Sequence, residues 1–485
     1  MQNFKNLRKT LESKAKPSKL NRFNNKILIL GFGSVGQAIL PLILKHIDIN
    51  ESDITVLEKG ENKKRFDQYH GDSKVNYVKL EVTRDNLDKT LSKYIGDNGF
   101  LIDVSVGIDC QELLTYCFTH NTNYINTSLE RWIDKEDEDI PNLADRTLYS
   151  THKRIRKFAR PYGSSATATV VSGANPGLVT HLTKEALLLI AKKEGKPVEA
   201  PNDKEGWAQL MKSLGVEVIQ IAERDTQSSM EPKEPNQFKN TWSCIGMTDE
   251  GRAPSELGFG THEPLEQEDL VVQDTAAYLK RPGVSVLVKS WVPSFGAFNG
   301  YLIQHSESVT MSQYFETKDK SFRPTVYYAY QPTDYTLASL HEFRGRELDV
   351  QVKTTIMKDE LIEGKDELGV LLITNKGKSY WYGSILDINE ARKLIPGENA
   401  TSVQVVANMI GTISWALNNP NLGYVEPEDM DYNYILDIAK PYLCKLVFAE
   451  TDWRPEIDKT DLFPRKIDEK HLNSLSNFRV WSGTI

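Results

Sequence analysis

Four groups of residues have the type and spacing to do chemistry. The first is Gly31-Phe32-Gly33-Ser34-Val35-Gly36, a GxGxxG sequence between an apolar run and an amphipathic one. In that setting Gly31 permits a tight turn, Gly33 lets a pyrophosphate approach the backbone, and Gly36 lets helix and strand pack closely. The phosphates would rest on the N–H groups at the helix start. The second is Glu58, 22 residues beyond Gly36 and directly after a second apolar run. A carboxylate there binds both ribose hydroxyls and repels a 2′-phosphate, which favours NAD over NADP. The third is Gly173-Ala174-Asn175-Pro176-Gly177. Asn-Pro-Gly is an ordinary turn sequence, and equally a way to aim an amide into a cleft. The fourth is Glu223-Arg224-Asp225 with Trp242 and Glu250. The tryptophan is either core or one wall of an ammonium-binding box that joins carboxylates to a π face. Spacing alone does not bring these residues together. His305 and Glu307, two apart after Tyr301-Leu302-Ile303, are expected on one face of a strand. A structural and a functional histidine are both open there.

The elements that must position these groups follow from periodicity. Ile27–Leu30, Ile54–Leu57, Tyr77–Leu80, Leu101–Val104 and Tyr124–Asn126 read as short buried strands. Helices are expected at Val35–His46, kinked by Pro41, and at Asp85–Tyr94 and Cys110–His120. Strands alternating with helices predict an α/β fold with an N-terminal Rossmann-type, doubly wound parallel sheet. The acidic loop Asp134–Asp139 and the segment Arg160-Pro161-Tyr162-Gly163 mark a boundary. Beyond it, strands at Val216–Ile221, Val284–Val292 and Val326–Tyr330 and helices at His181–Lys193 and Glu205–Ser213 predict an α+β domain. The expected division is a basic flexible arm (1–24), a NAD-binding domain (25–160), an α+β substrate-binding and dimerisation domain (161–395), and a C-terminal helix, Ser402–Asn418, with an extension (396–485).

Composition narrows the function classes. The 485 residues are 39% hydrophobic and 26% charged, which suits a folded globular chain of more than one domain. The net charge is −8, and residues 1–24 hold seven basic side chains against one acid, so the rest is more acidic still. An acidic body argues against nucleic acid and suits a cationic small ligand. The four cysteines form no CxxC or Cys/His cluster, so no metal site is expected. Free thiols without a secretory signal point to the cytoplasm. No apolar run approaches the ~18 residues of a membrane span.

With these motifs in order, the chain resembles the bacterial homospermidine synthases, relatives of the saccharopine dehydrogenase group. The residues that carry the resemblance are GFGSVGQ (31–37), NTSLERW (126–132), GANPGLVTHL (173–182), AERDTQ (222–227), NTWS (240–243), HSE (305–307) and YWYGS (380–384). The first is generic to nucleotide-binding enzymes; AERDTQ with NTWS is far more specific. The resemblance implies an NAD-dependent alkyl transferase that converts two putrescines into homospermidine and ammonia. A hydride leaves the amine-bearing carbon, the imine exchanges its nitrogen for that of the second putrescine, and the hydride returns. It implies that Trp242 is the cation–π partner, that Glu223 and Glu250 bind ammonium groups, and that Asn175 lies near the reacting nitrogen. Glu130 and His305 would line the pocket, with Glu307 and Asp387 as further members. It extends the cofactor site from Gly31, Gly33, Gly36 and Glu58 to Ser34, Val35, Ser105, Asn126, Thr127, Ala174, Asn175 and Pro176. Putrescine and related diamines would be the small-molecule partners, and a homodimer through 161–395 is expected. Two other readings stay open. A saccharopine- or carboxynorspermidine-type dehydrogenase would need a cationic clamp, for which Arg131 and Arg224 are candidates. A non-catalytic NAD-binding sensor would keep the glycines and need no acidic pocket.

Overall fold

A computed structural model describes residues 19–132, 142–196, 198–455 and 469–480. The expected acidic loop at 134–139 and most of the basic arm lie outside the described residues. The end of the arm is ordered: Asn21–Arg22 pairs in parallel with Ile47–Asp48, and Lys19 donates to the carbonyls of Leu44 and Ile47.

A seven-stranded parallel sheet holds the glycine-rich sequence. Its order is Tyr424–Val425, Ala168–Thr169, Asn123–Asn126, Phe100–Asp103, Ile27–Leu30, Ile54–Glu58 and Asn76–Lys79. Every residue of Ile27–Leu30 is buried, as a strand covered on both faces requires. The chain leaves this strand at the point where strand order reverses, between Phe100–Asp103 and Ile54–Glu58. Open α/β sheets bind ligands at such switch points. The helix Ser34–His46 follows and runs unbroken through Pro41.

An eleven-stranded mixed sheet forms the second layer system. At its centre Val216–Asp225 pairs in parallel with Thr325–Gln331 and antiparallel with Lys365–Thr374, which pairs onward with Ser379–Asp387. The strand Val216–Asp225 runs four residues past the expected end at Ile221. Polar Glu223 and Asp225 interrupt the apolar pattern, yet strands on both sides keep them extended. Sheet boundaries also differ from the expected linear division at 160 and 396. Ala168–Thr169 and Tyr424–Val425 join the first sheet, while Lys445–Thr451 and Arg479–Val480 join the second.

The helix Ala400–Asn418 packs against both Ser34–His46 and Tyr432–Ala439. It starts at Asn399, whose side chain accepts from Ser402 N–H. That start lies between the two sheets, close to the site described next. Among the described residues, no helix is long and apolar enough to cross a membrane.

Candidate active site

The loop Gly31–Gly36 has the form of a phosphate cradle. A Cβ on Gly31, whose φ is +97°, would lie 2.7 Å from the Val104 carbonyl oxygen, and one on Gly36 would lie 2.3 Å from that of Gly31. These two glycines serve the protein's own packing. A Cβ on Gly33 would meet nothing within 4 Å. The space over Gly33 is therefore open, beside a helix start at which Gly33 offers no side-chain cap. A pyrophosphate fits there, on the unsatisfied N–H groups of the first turn. Glu58 ends its strand buried next to the loop, accepting from Phe32 N–H and Gly60 N–H, each at 2.5 Å. Ser34 is buried, its hydroxyl 2.5 Å from that of Ser402.

The other candidate cofactor residues cluster at the same end of the sheet. Ser105 follows Phe100–Asp103 and its hydroxyl donates to Asp103 at 2.6 Å. Asn126 ends the next strand; its side chain accepts from Val171 N–H and donates to Tyr124. Its amide is thereby committed to the fold. Thr127 lies against Gly173, at the start of the turn that carries Ala174, Asn175 and Pro176. That turn closes through Gly173 N–H to the Pro176 carbonyl, 2.7 Å, and contains a cis Asn175–Pro176 bond. Among the described residues, the Nδ2 of Asn175 is a buried donor with no hydrogen-bond partner.

The acidic pocket is built around two tyrosines. Tyr328 and Tyr330 project from one face of Thr325–Gln331 and stack with centroids 5.1 Å apart. Trp242 is half-buried, and its Nε1 donates to the Tyr330 hydroxyl at 3.1 Å. The Tyr328 hydroxyl donates to Glu223 at 2.6 Å. The His305 ring lies 4.4 Å from that of Tyr328. His305 faces Glu307 through Nδ1 at 3.1 Å and Glu250 through Nε2 at 3.5 Å. One tyrosine pair thus joins Trp242, Glu223 and His305, which are far apart in sequence, and His305 adds Glu250 and Glu307.

Burial governs the protonation of this pocket. It pushes Glu223 up to about 8, against the opposing hydrogen bond from Tyr328. It raises Asp225 to about 6, against hydrogen bonds from Gln227 and Thr241, and raises Asp366 well above the usual carboxylate range, with Glu223 and Asp225 adding to the effect. Burial also raises Glu250 and Glu130. For His305, burial works against the charge, but the carboxylates of Glu307 and Glu250 outweigh it and hold the imidazole well above its ordinary value. The two acids thus favour the imidazolium, whose Nδ1 is within hydrogen-bond distance of Glu307 and whose Nε2 stands 3.5 Å from Glu250. Among the described residues no lysine or arginine pairs with Glu223, Asp225 or Asp366, and Asp366 Oδ1 is buried without a partner. Such a pocket is complementary to a bound cation.

Some expectations are corrected. His305 and Glu307 do not share a strand: His305 caps the helix Ser306–Tyr314, and Glu307 lies in its first turn. They still meet, because the cap geometry turns Glu307 back toward the ring. Asp387 does not reach the pocket. It caps the helix Ile388–Leu394, accepting from Asn389 N–H at 2.7 Å. The acid that lies in the pocket is Asp366, which pairs across the ladder with Leu386, so Asp387 falls on the opposite face. Glu130 accepts from the Ser128 hydroxyl and Gly107 N–H. Arg224 alternates away from Glu223, donating to Gln331 and lying 3.5 Å over the Phe295 ring. Arg131 donates to Thr151. Sequence reading passed over Tyr328, Tyr330 and Asp366. The spacing of two in Glu223-x-Asp225 and Tyr328-x-Tyr330 was the available signal.

Comparison with known proteins follows the same lines. Residues 27–171 match the saccharopine dehydrogenase NADP binding domain, and residues 173–448 match the saccharopine dehydrogenase C-terminal domain. The chain is 37% identical over 468 residues to a homospermidine synthase of Mesorhizobium japonicum, covering 94% of this chain and 96% of that protein. It is 35% identical over 463 residues to the homospermidine synthase of Blastochloris viridis, covering 92% and 96%. Its fold superposes on the crystal structure of the homospermidine synthase from Legionella pneumophila in complex with NAD. The TM-score is 0.88 at 40% identity, covering 95% of this chain and 99% of the other.

Proposed function

The chain belongs to the homospermidine synthase family, within the saccharopine dehydrogenase group, and from that premise we propose that it joins two putrescines into homospermidine with release of ammonia, using NAD without consuming it. The observation that carries this reading is the buried acid cluster beside Trp242, with which, among the described residues, no lysine or arginine pairs. Bound NAD supplies hydride acceptance and hydride return.

The residues have distinct tasks. Glu223 and Glu250 take the ammonium groups of the diamine. The reacting amine must lose a proton before its carbon gives up hydride, and burial against aromatic rings lowers its pKa from ~10.4. Glu223, at about 8, is matched to hold or release that proton near neutral pH. Hydride loss leaves an iminium cation, which the face of Trp242 stabilises in a site from which water is excluded. His305, charged and held by Glu307 and Glu250, is placed to return a proton to the departing ammonia. The unpartnered amide of Asn175 orients the reacting nitrogen. Glu58 favours the ribose of NAD over a 2′-phosphate.

The finer partners belong to the same proposal. Putrescine and related diamines are the substrates, the active form is a homodimer through 161–395, and the site of action is the cytoplasm. Three buried, unpaired thiols support a reducing compartment. A dehydrogenase joining an amine to a keto acid would need an arginine or lysine clamp for the carboxylate, and Arg224 lies on the other face of its strand.

The test is turnover of putrescine by the purified protein with NAD, with the product identified by mass. Homospermidine and ammonia in equal amounts are expected. A requirement for a keto acid, or binding of NAD with no turnover, would overturn the reading.

A further inference from the structure

The glycine-rich loop is held by a chain of contacts that begins in the other half of the sequence. Lys358 lies between the strands Lys353–Ile356 and Leu361–Glu363. It is buried with Glu398, and its Nζ donates to Glu398 Oε2 at 2.5 Å. The same Nζ donates to Gln37 Oε1 at 2.9 Å and lies 3.5 Å from the Ser34 carbonyl oxygen. Gln37 passes the contact on: its Nε2 donates to the Phe32 carbonyl at 2.8 Å. Phe32 N–H donates to Glu58. The middle residue of Gly31-Phe32-Gly33 is thereby fixed at both its carbonyl and its N–H.

Stability alone does not explain this pair. Desolvating two charges costs about as much as their attraction returns, and an apolar pair would fill the space as well. Burial pushes Lys358 below its ordinary pKa and Glu398 above its own. The ammonium also lies at the first turn of Ser34–His46, where the helix end carries positive partial charge and a cation is unfavourable. What an apolar pair would not do is orient Gln37. Lysine is a donor only, so Gln37 must give it the amide oxygen and turn its nitrogen to Phe32.

The anchor of this chain also touches the acidic pocket. Asn399, next to Glu398, donates to the carbonyl of Thr241 at 2.6 Å, one residue before Trp242. Thr401 donates to Asp366 at 2.6 Å. Arg65, from the dinucleotide half, bonds Asp359 at 2.8 Å and also donates to the Gly397 carbonyl.

We propose that Lys358, anchored by Glu398 and acting through Gln37, is a positioning residue that sets the Gly31–Gly33 loop in the shape that accepts a dinucleotide pyrophosphate. It rests on the reading that this chain binds NAD. The test measures the Kd for NAD by calorimetry and Tm by thermal unfolding on the same variants. Lys358→Met leaves Glu398 with only the more distant Arg65, 3.9 Å away, so both Tm and NAD affinity should fall. Lys358→Met/Glu398→Gln should recover most of the Tm while NAD binding stays about tenfold or more weaker, the loss expected for a charge-assisted contact. Gln37→Ala should weaken NAD binding by a similar factor, and adding it to the double variant should cost little more, because both act on one path. The Kd should rise by more than kcat at saturating NAD falls. Wild-type affinity in the double variant, or in Gln37→Ala, would overturn the proposal and leave the pair as packing. Failure of the wild-type protein itself to bind NAD would overturn the cofactor reading, and this inference with it.

Discussion

Replacing Glu223 with glutamine should stabilise the substrate-free protein while abolishing its activity. Glu223 is buried on Val216–Asp225, accepts from Tyr328 at 2.6 Å, and has its pKa pushed from 4.5 to about 8, first by burial and further by Asp225. The folded state therefore holds this proton more tightly than the unfolded chain. The resulting contribution to stability is complete below the unfolded value of 4.5 and is lost as pH rises through the folded value of about 8. Each unit corresponds to ~1.4 kcal/mol. Because Asp225 and Asp366 share the effect, the loss across the window is on the order of a few kcal/mol. Glutamine keeps an acceptor for Tyr328, has nearly the same volume and never ionises. The Tm of Glu223→Gln should match wild type near pH 5 and exceed it increasingly toward pH 8.5. At ~2–4 °C per kcal/mol for a large domain, the gap should reach several degrees. Thermal unfolding from pH 5 to 9, with and without putrescine, reads this directly. Putrescine should raise the wild-type Tm and close the gap, since a bound ammonium satisfies the carboxylate. A gap that is flat with pH, or a variant less stable than wild type at pH 8.5, would refute the reasoning.

Two further outcomes separate function from packing. Gly33→Ala should leave Tm near wild type, because its Cβ meets nothing within 4 Å, yet weaken NAD binding severely; Gly36→Ala, whose Cβ meets the Gly31 carbonyl, should lose Tm. Thermal unfolding with NAD titration checks both. At Trp242, an iminium near a desolvated ring gains about 2 kcal/mol, roughly thirtyfold in rate. Phenylalanine should retain intermediate kcat/KM for putrescine, while leucine should be nearly as poor as alanine. Leucine equal to phenylalanine would return Trp242 to the core.

Local features were well marked in the sequence. The glycines, the acid at Glu58 and the short strands of the first sheet each follow from near-neighbour periodicity, and Ile27–Leu30 falls on its expected residues. The features that were hidden depend on tertiary pairing. Glu223 and Asp225 lie within a strand because neighbours on both sides complete its ladder, which no local propensity reveals. His305 and Glu307 meet through a helix cap rather than a strand face. Asp366 and Asp387 stand on strands of one hairpin, and only the register decides which of them faces the tyrosines. Tyr328 and Tyr330 read as ordinary strand residues until the stacked pair joins Trp242 to Glu223. The glycine loop and the pocket are tied by Lys358, Glu398 and Asn399, whose separation from Ser34 and Gln37 in sequence hides the contact.

The most direct test of the central claim is the fate of the transferred hydride. Purified protein would be given putrescine carrying deuterium on both amine-bearing carbons, with substoichiometric NAD and an added pool of unlabelled NADH. If one bound cofactor takes the hydride and returns it to the same carbon, homospermidine should keep every deuterium, over many turnovers and with no net change in NADH absorbance. Loss of one deuterium per product, or NADH accumulating in step with product, would contradict a redox-neutral transfer within the site.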